Sequence, residues 1–307
     1  MPLLEALRAL TSFSPPEVLP ECDPGLLGDV LEAHGLAALA SYQLEQKRIG
    51  GDAPEALRER LLTSFQGIVN DNLQKVLALR AVLRDVEGLH VVLLDAAAFV
   101  DWLYPHLGFR PLGDVRLAVP TAEGERFVAA TKETLDLVRT EHEGRTVVFT
   151  TKQSGAPVFI QEGLWASGPE DGALYARATP HPTFGPSAHR PSAEEALLGV
   201  VAEQALLGLH APLVTFVDLR ELLAQPLDAG YVLVRAAALR LERALHGATL
   251  LVAHFFPESA AAAALVRPEL GLAERVAVER VVEAAKDPAR LRHVRGADAA
   301  ARLVVAP

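Results

Sequence analysis

Gly108-Phe109-Arg110-Pro111-Leu112-Gly113-Asp114-Val115-Arg116-Leu117-Ala118-Val119-Pro120 is the stretch on which the reading of this chain turns. Val115, Leu117 and Val119 recur at every second position, which predicts a strand over Val115 to Val119 behind a turn rich in glycine and proline. Alternate strand residues share a face, so Asp114 and Arg116 are expected to point at one pocket. An acid and a base so placed have two simple uses. They can form a structural ion pair at the edge of a sheet, or the guanidinium can take a phosphate or carboxylate in a bidentate grip.

Working outward, His90-Val91-Val92-Leu93-Leu94 is a short β-branched and aliphatic run of the kind found in a buried strand. Asp95 to Leu103 returns to helical spacing, closed by Pro105 and Gly108. Downstream, residues 122–139 are expected to form a helix that begins with Glu123 and Glu125. Two strands, 145–151 and 156–161, follow around a Gln153-Ser154-Gly155 turn. Upstream, residues 1–86 are helical in pattern. Pro15, Pro16, Pro20 and Pro24 break the first helix from the second, and a long helix over 56–86 carries Leu61, Phe65, Val69, Leu73 and Val76. Residues 166–191, rich in Gly, Pro, His and Ser, read as a loop. Helices are then expected over 193–209, where Ser192 and Glu195 make a capping box, and over 213–224, 228–246 and 272–286. The fold class is α/β (α+β), a small mixed-sheet core flanked by helical regions. The expected organisation is an N-terminal helical region (1–87), an α/β core (88–165), and a loop with a C-terminal helical region (166–307).

Three segments in this order carry a resemblance: Leu93-Leu94-Asp95-Ala96-Ala97-Ala98 with Leu103-Tyr104-Pro105, then Gly108, Arg110, Pro111, Asp114, Leu117 and Val119, then Phe216-Val217-Asp218-Leu219-Arg220. In these the chain resembles an uncharacterised bacterial nucleotidyltransferase family of the polymerase-β-like superfamily. The resemblance implies a nucleotidyltransferase core that holds Mg²⁺ with an Asp-x-Asp pair and a third strand carboxylate. The departures fall on that machinery. Asp114 keeps the first carboxylate, and Arg116 stands in place of the second. Phe159 stands in place of the third, and Gln161 replaces a family histidine. Asp95-Ala96 replaces a lysine-glycine pair near the incoming nucleotide, so a cation and the backbone room of glycine are both lost.

Composition limits the alternatives. Half of the 307 residues are hydrophobic, enough for a large buried core. The single cysteine, Cys22, sits between Glu21 and Asp23, which excludes a disulfide framework and disfavours a reactive thiolate. No secretory pattern or membrane-length apolar run is read, so the expected setting is cytoplasmic, with no membrane partner. The formal net charge of −10 makes nucleic acid an unexpected partner. The basic residues Arg275, Arg280, Lys286, Arg290, Arg292 and Arg295 are interleaved with acids and read as a solvated helix face. His181 and His189 flank a Pro-rich loop with no acidic residue beside them, so a metal clamp there is not expected; His106, His142 and His210 are scattered.

The reading is a degenerate nucleotidyltransferase acting as a binding or scaffold protein, with Arg110, Asp114 and Arg116 as ligand-binding residues, an unknown protein partner and a possible nucleotide. No catalytic residue, metal or cofactor is expected. The first alternative is an active enzyme in which Asp95 and Asp114 hold Mg²⁺ to transfer a nucleotide from an NTP. The second is a metal-independent nucleotide sensor built on Arg116.

Overall fold

The computed structural model describes residues 2–12, 18–46, 49, 53–141, 146–166, 168–291 and 298–306. Pro15, Pro16, His142, Arg145, Arg292 and Arg295 lie outside the described residues. In chain order the elements begin with α1 (Pro2–Thr11), α2 (Pro24–Ala33), α3 (Ala37–Glu45), α4 (Glu55–Asp85), β1 (Val91–Leu93) and α5 (Asp95–Phe99). Next come β2 (Val115–Ala118), α6 (Thr121–Thr131), β3 (Leu135–Glu141), β4 (Thr146–Thr151), β5 (Pro157–Gln161), α7 (Gly172–Arg177), β6 (Thr179–Pro180) and β7 (Ala188–Arg190). The rest is helical: α8 (Ala193–Leu206), α9 (Leu213–Leu223), α10 (Ala229–Ala238), α11 (Glu242–Phe255), α12 (Ala260–Leu265), α13 (Leu272–Ala285), α14 (Pro288–Leu291) and α15 (Asp298–Val305).

These elements fall into two compact units, Met1–Val69 with Gly108–Arg110 and Val200–Pro307, and Asn70–Leu107 with Pro111–Gly199. In the first, helical unit, α11 packs against α9, α10, α12, α13 and α15. Its Gly247 is what lets the neighbours approach, because a Cβ there would stand 2.4 Å from Leu209 Cδ1 and 3.2 Å from Val278 Cγ1. His34, buried at the end of α2, ties three segments together. Its Nδ1 accepts from the Leu213 amide at 3.1 Å, and its Nε2 lies 2.8 Å from the Pro288 carbonyl. A ring that accepts at Nδ1 and donates at Nε2 is the neutral tautomer.

The second unit is built on a seven-stranded mixed sheet of order β3-β4-β5-β2-β1-β7-β6. β2 lies antiparallel to β1 and parallel to β5, and β4 lies antiparallel to β5. The registers set two faces. Arg116, Phe159 and Val148 stand side by side on one face, and Leu117, Ile160 and Val147 on the other. The strands expected over 90–94, 115–119 and 156–161 are present as β1, β2 and β5.

Three local expectations need correction. Residues 132–139 are not helical: α6 ends at Thr131 and β3 begins at Leu135. As an outer strand, β3 leaves both Leu137 and Val138 exposed, so it lacks the alternation that marks a half-buried strand. Residues 166–191 are not simply a loop, because β7 pairs in parallel with β1. With three residues, β7 is too short to display a period. Residues 228–246 are two helices, broken where Arg240 takes a left-handed φ of 58°, and neither glycine nor proline announces the break.

His181 follows β6, is 3 % exposed, and stacks on Phe184 with ring centroids 4.8 Å apart. The Thr183 amide donates to its Nδ1, and burial pushes its pKa down to about 4 from an ordinary 6.5. The unfolded chain therefore takes up a proton between pH 6.5 and 4 that the folded chain refuses. That contribution to stability is complete above the unfolded value and is lost as pH falls towards the folded one. Denaturant titrations are expected to lose on the order of 1–3 kcal/mol across this window. His181→Gln is expected to remove most of that slope, and an unchanged slope would contradict the assignment.

Candidate functional site

The residues that carried the sequence reading separate onto the two units. In the helical unit the Arg110 guanidinium grips Asp218 of α9, with Nε 3.1 and 3.0 Å from Oδ1 and Oδ2 and Nη2 2.9 Å from Oδ2. Asp218 is 1 % exposed at its side chain and Arg110 15 %. This fork-to-fork pair joins the Gly-x-Arg-Pro segment to the Phe-Val-Asp-Leu-Arg segment, two stretches 108 residues apart. Arg110, expected as a ligand-binding residue, is placed here as the counter-ion of a buried carboxylate.

Asp95, Asp114 and Arg116 come together in the sheet unit. β1 and β2 are antiparallel, with Leu93 opposite Leu117, and the Leu94 amide donates to the Arg116 carbonyl. Asp95, which follows, is thereby carried to the start of β2. Gly113 turns the chain into β2 with a φ of 58°, a left-handed conformation that glycine adopts without steric cost. Arg116 Nε then lies 3.6 Å from Asp95 Oδ2, and Arg116 Nη2 lies 3.9 Å from Asp114 Oδ2. The guanidinium also reaches over Phe159 of β5, 5.7 Å from the ring centroid.

Arg116 thus reaches both of the carboxylates that the sequence offers as ligands for an active enzyme. Asp95 itself has a left-handed φ of 50°, rare for a residue with a side chain and a mark of local strain. Side-chain exposures of 21 % for Arg116, 25 % for Asp95 and 48 % for Asp114 put the trio at the rim, within reach of solvent. Such ion pairs are worth little individually, roughly 0–1 kcal/mol, so the guanidinium is positioned without being locked.

From Asp114 a polar cleft of ≈ 810 Å³ opens between α4 and the β4–β5 turn, lined by Asp71, Gln74, Lys75, Gln153 and Ser154 among others. Lys75 Nζ pairs with Asp71 Oδ2 at 2.6 Å. The sequence reading missed Lys75. Its spacing of four from Asp71 was visible, but only the tertiary fold sets it in the cleft with Asp114. Asp71, Asp95 and Asp114 outnumber Lys75 and Arg116, so this region carries one excess negative charge.

The remaining candidates lie apart from the trio or are otherwise engaged. Gln161, on β5, is 2 % exposed and donates to the Gly163 carbonyl. Glu162 follows β5 with the parity of Ile160, the face opposite Phe159. His189 stacks on His90 with centroids 4.0 Å apart, while His181 packs on Phe184.

The model of a family described as an uncharacterised nucleotidyltransferase matches residues 20–257 of this chain, well over half its length. The chain belongs to that family. No curated protein and no solved structure matches it. Nucleotidyl transfer is commonly metal-assisted, and among the described residues no group of three or more His, Cys, Asp or Glu side chains is placed to hold a metal ion. Arg116 lies within 4 Å of both carboxylates, so a cation that approached them would meet a like charge in the same place.

The Arg110–Asp218 pair gives a direct test. Arg110→Ala removes the guanidinium from a buried carboxylate and is expected to destabilise the protein by about 3–5 kcal/mol in urea denaturation. The double variant Arg110→Met with Asp218→Leu is expected to recover most of that loss. A cost below about 1 kcal/mol for Arg110→Ala would show that the guanidinium is not the counter-ion that Asp218 requires.

Proposed function

We propose that this chain is a member of the nucleotidyltransferase family that has lost metal-dependent transfer and works as a binding or scaffold protein. One observation supports the proposal: the Arg116 guanidinium lies within 4 Å of both Asp95 and Asp114, where on this reading it stands in for a metal cation. Metal-assisted transfer needs carboxylates free to hold the ion, and a guanidinium within 4 Å of both Asp95 and Asp114 competes with a metal for them. What the fold retains is surface, and the partner on this reading is a protein.

A second reading is favoured by the same geometry. Asp95 and Asp114 approach one guanidinium from two strand ends, so their carboxylates converge, as two ligands of one ion must. If Arg116 swings away when an NTP arrives, these two residues are the ligands that an active Mg²⁺-dependent enzyme would use. A metal-independent nucleotide sensor is the third reading, in which Arg116 exchanges carboxylate for phosphate.

Calorimetric titration with each NTP, first with Mg²⁺ and then with excess EDTA, separates the three. The proposal predicts no binding in either buffer. Binding that needs Mg²⁺ and vanishes in Asp114→Ala would overturn it in favour of the enzyme. Binding that survives EDTA and vanishes in Arg116→Ala would overturn it in favour of the sensor.

A further inference from the structure

The face of the sheet turned away from Arg116 carries a second cavity with opposite chemistry. It measures ≈ 480 Å³ and is walled by Val119, Phe127, Val128, Val147, Phe149 and Ile160. Pockets that hold small organic ligands run from roughly 300 to 1,000 Å³ and are mostly apolar, so size and lining both match that class. Phe127 and Phe149 are buried and form the floor, whereas Val128 of α6 is 49 % exposed at the wall. Gly124 lines the same cavity, and a Cβ built on it meets nothing within 4 Å. Helix α6 therefore stands over β4 and β5 without filling the space beneath it. A glycine within a helix costs about 1 kcal/mol relative to alanine, and here no close contact requires one.

The ionic character of the rim is one-sided. Glu125 and Glu162 line the cavity, and no Lys, Arg or His is among the described residues that do so. Glu170 stands close by, its Oε1 accepting from the amide of Thr121, another lining residue, at 3.1 Å. Tyr175, whose hydroxyl donates to the Glu162 carbonyl, has its pKa pushed up by burial and then by Glu170, Glu162 and Glu123. An apolar chamber under a negative rim selects against fatty acids and phosphates and suits a molecule with the reverse layout.

We infer that this cavity is a binding site for an amphipathic organic amine, its hydrocarbon body in the apolar chamber and its ammonium between Glu125 and Glu162. The site is independent of the Asp95–Asp114–Arg116 trio, since the strand registers put the two on opposite faces of the sheet. Its ligand owes nothing to nucleotide chemistry.

The test is calorimetric titration at pH 7 with n-decylamine, decanol and decanoate, each below its aggregation concentration. Decylamine is expected to bind at least tenfold more tightly than decanoate. The double variant Glu125→Gln with Glu162→Gln should bring the amine down to the affinity of decanol while leaving decanol unchanged. Because both carboxylates lie at the rim, this variant keeps the inference testable if a core change impairs folding. Gly124→Leu, which fills the chamber, should lose all three ligands while circular dichroism confirms the native fold. Decanoate binding as tightly as decylamine would overturn the inference, as would no binding of any ligand to the wild-type protein. Sedimentation showing a dimer that Gly124→Leu dissociates and decylamine does not would overturn it too, by assigning the face to a second copy of the chain.

Discussion

The guanidinium of Arg116, held between Asp95 and Asp114, is the interaction on which the functional account depends. Strand pairing fixes it. Asp114 immediately precedes β2 after the left-handed Gly113, Arg116 follows two residues later, and the antiparallel pairing of β1 with β2 brings Asp95 alongside. Two carboxylates that converge need a cation between them, and the chain supplies its own. On the proposed reading, a side chain tethered at that point competes with free Mg²⁺ through its effective concentration and its charge.

The same sheet separates two kinds of chemistry. One face presents Arg116 with Phe159, charged and open to solvent, beside a polar cleft reached by Lys75. The other is mostly apolar, with α6 lying above it and, among the described residues that line its cavity, Glu125 and Glu162 as the charged ones. A period of two along each strand is enough to produce this division, because Arg116 and Leu117, or Phe159 and Ile160, are chain neighbours that cannot share a face.

Much of this arrangement was legible in the sequence, and what was not has identifiable physical causes. The mixed α/β character, β1, β2, β5 and the long α4 follow from period and composition, and the family was readable from a few residues in register between Leu93 and Val119. The opposition of Asp114 and Arg116 also followed from strand parity alone. Partnerships across long separations did not. The pairing of Arg110 with Asp218 joins residues 108 apart in the chain, and only packing brings them together. Lys75 was overlooked because it reads as one more charge on an amphipathic helix. The cavity under α6 escaped notice because it comes from the space left beside Gly124, and missing volume has no sequence signature. β3 and β7 were lost because one is exposed on both faces and the other is three residues long.

The most direct measurement is a Mg²⁺ titration by calorimetry of the wild-type protein and of Arg116→Asp, with Arg116→Asp combined with Asp114→Asn as the control. If Arg116 occupies the cation's place, the wild type gives no binding heat at millimolar Mg²⁺. Arg116→Asp then gains a site that the added Asp114→Asn change removes. Mg²⁺ binding to the wild type with the affinity of Arg116→Asp would contradict the account, since the guanidinium would then not be excluding the metal.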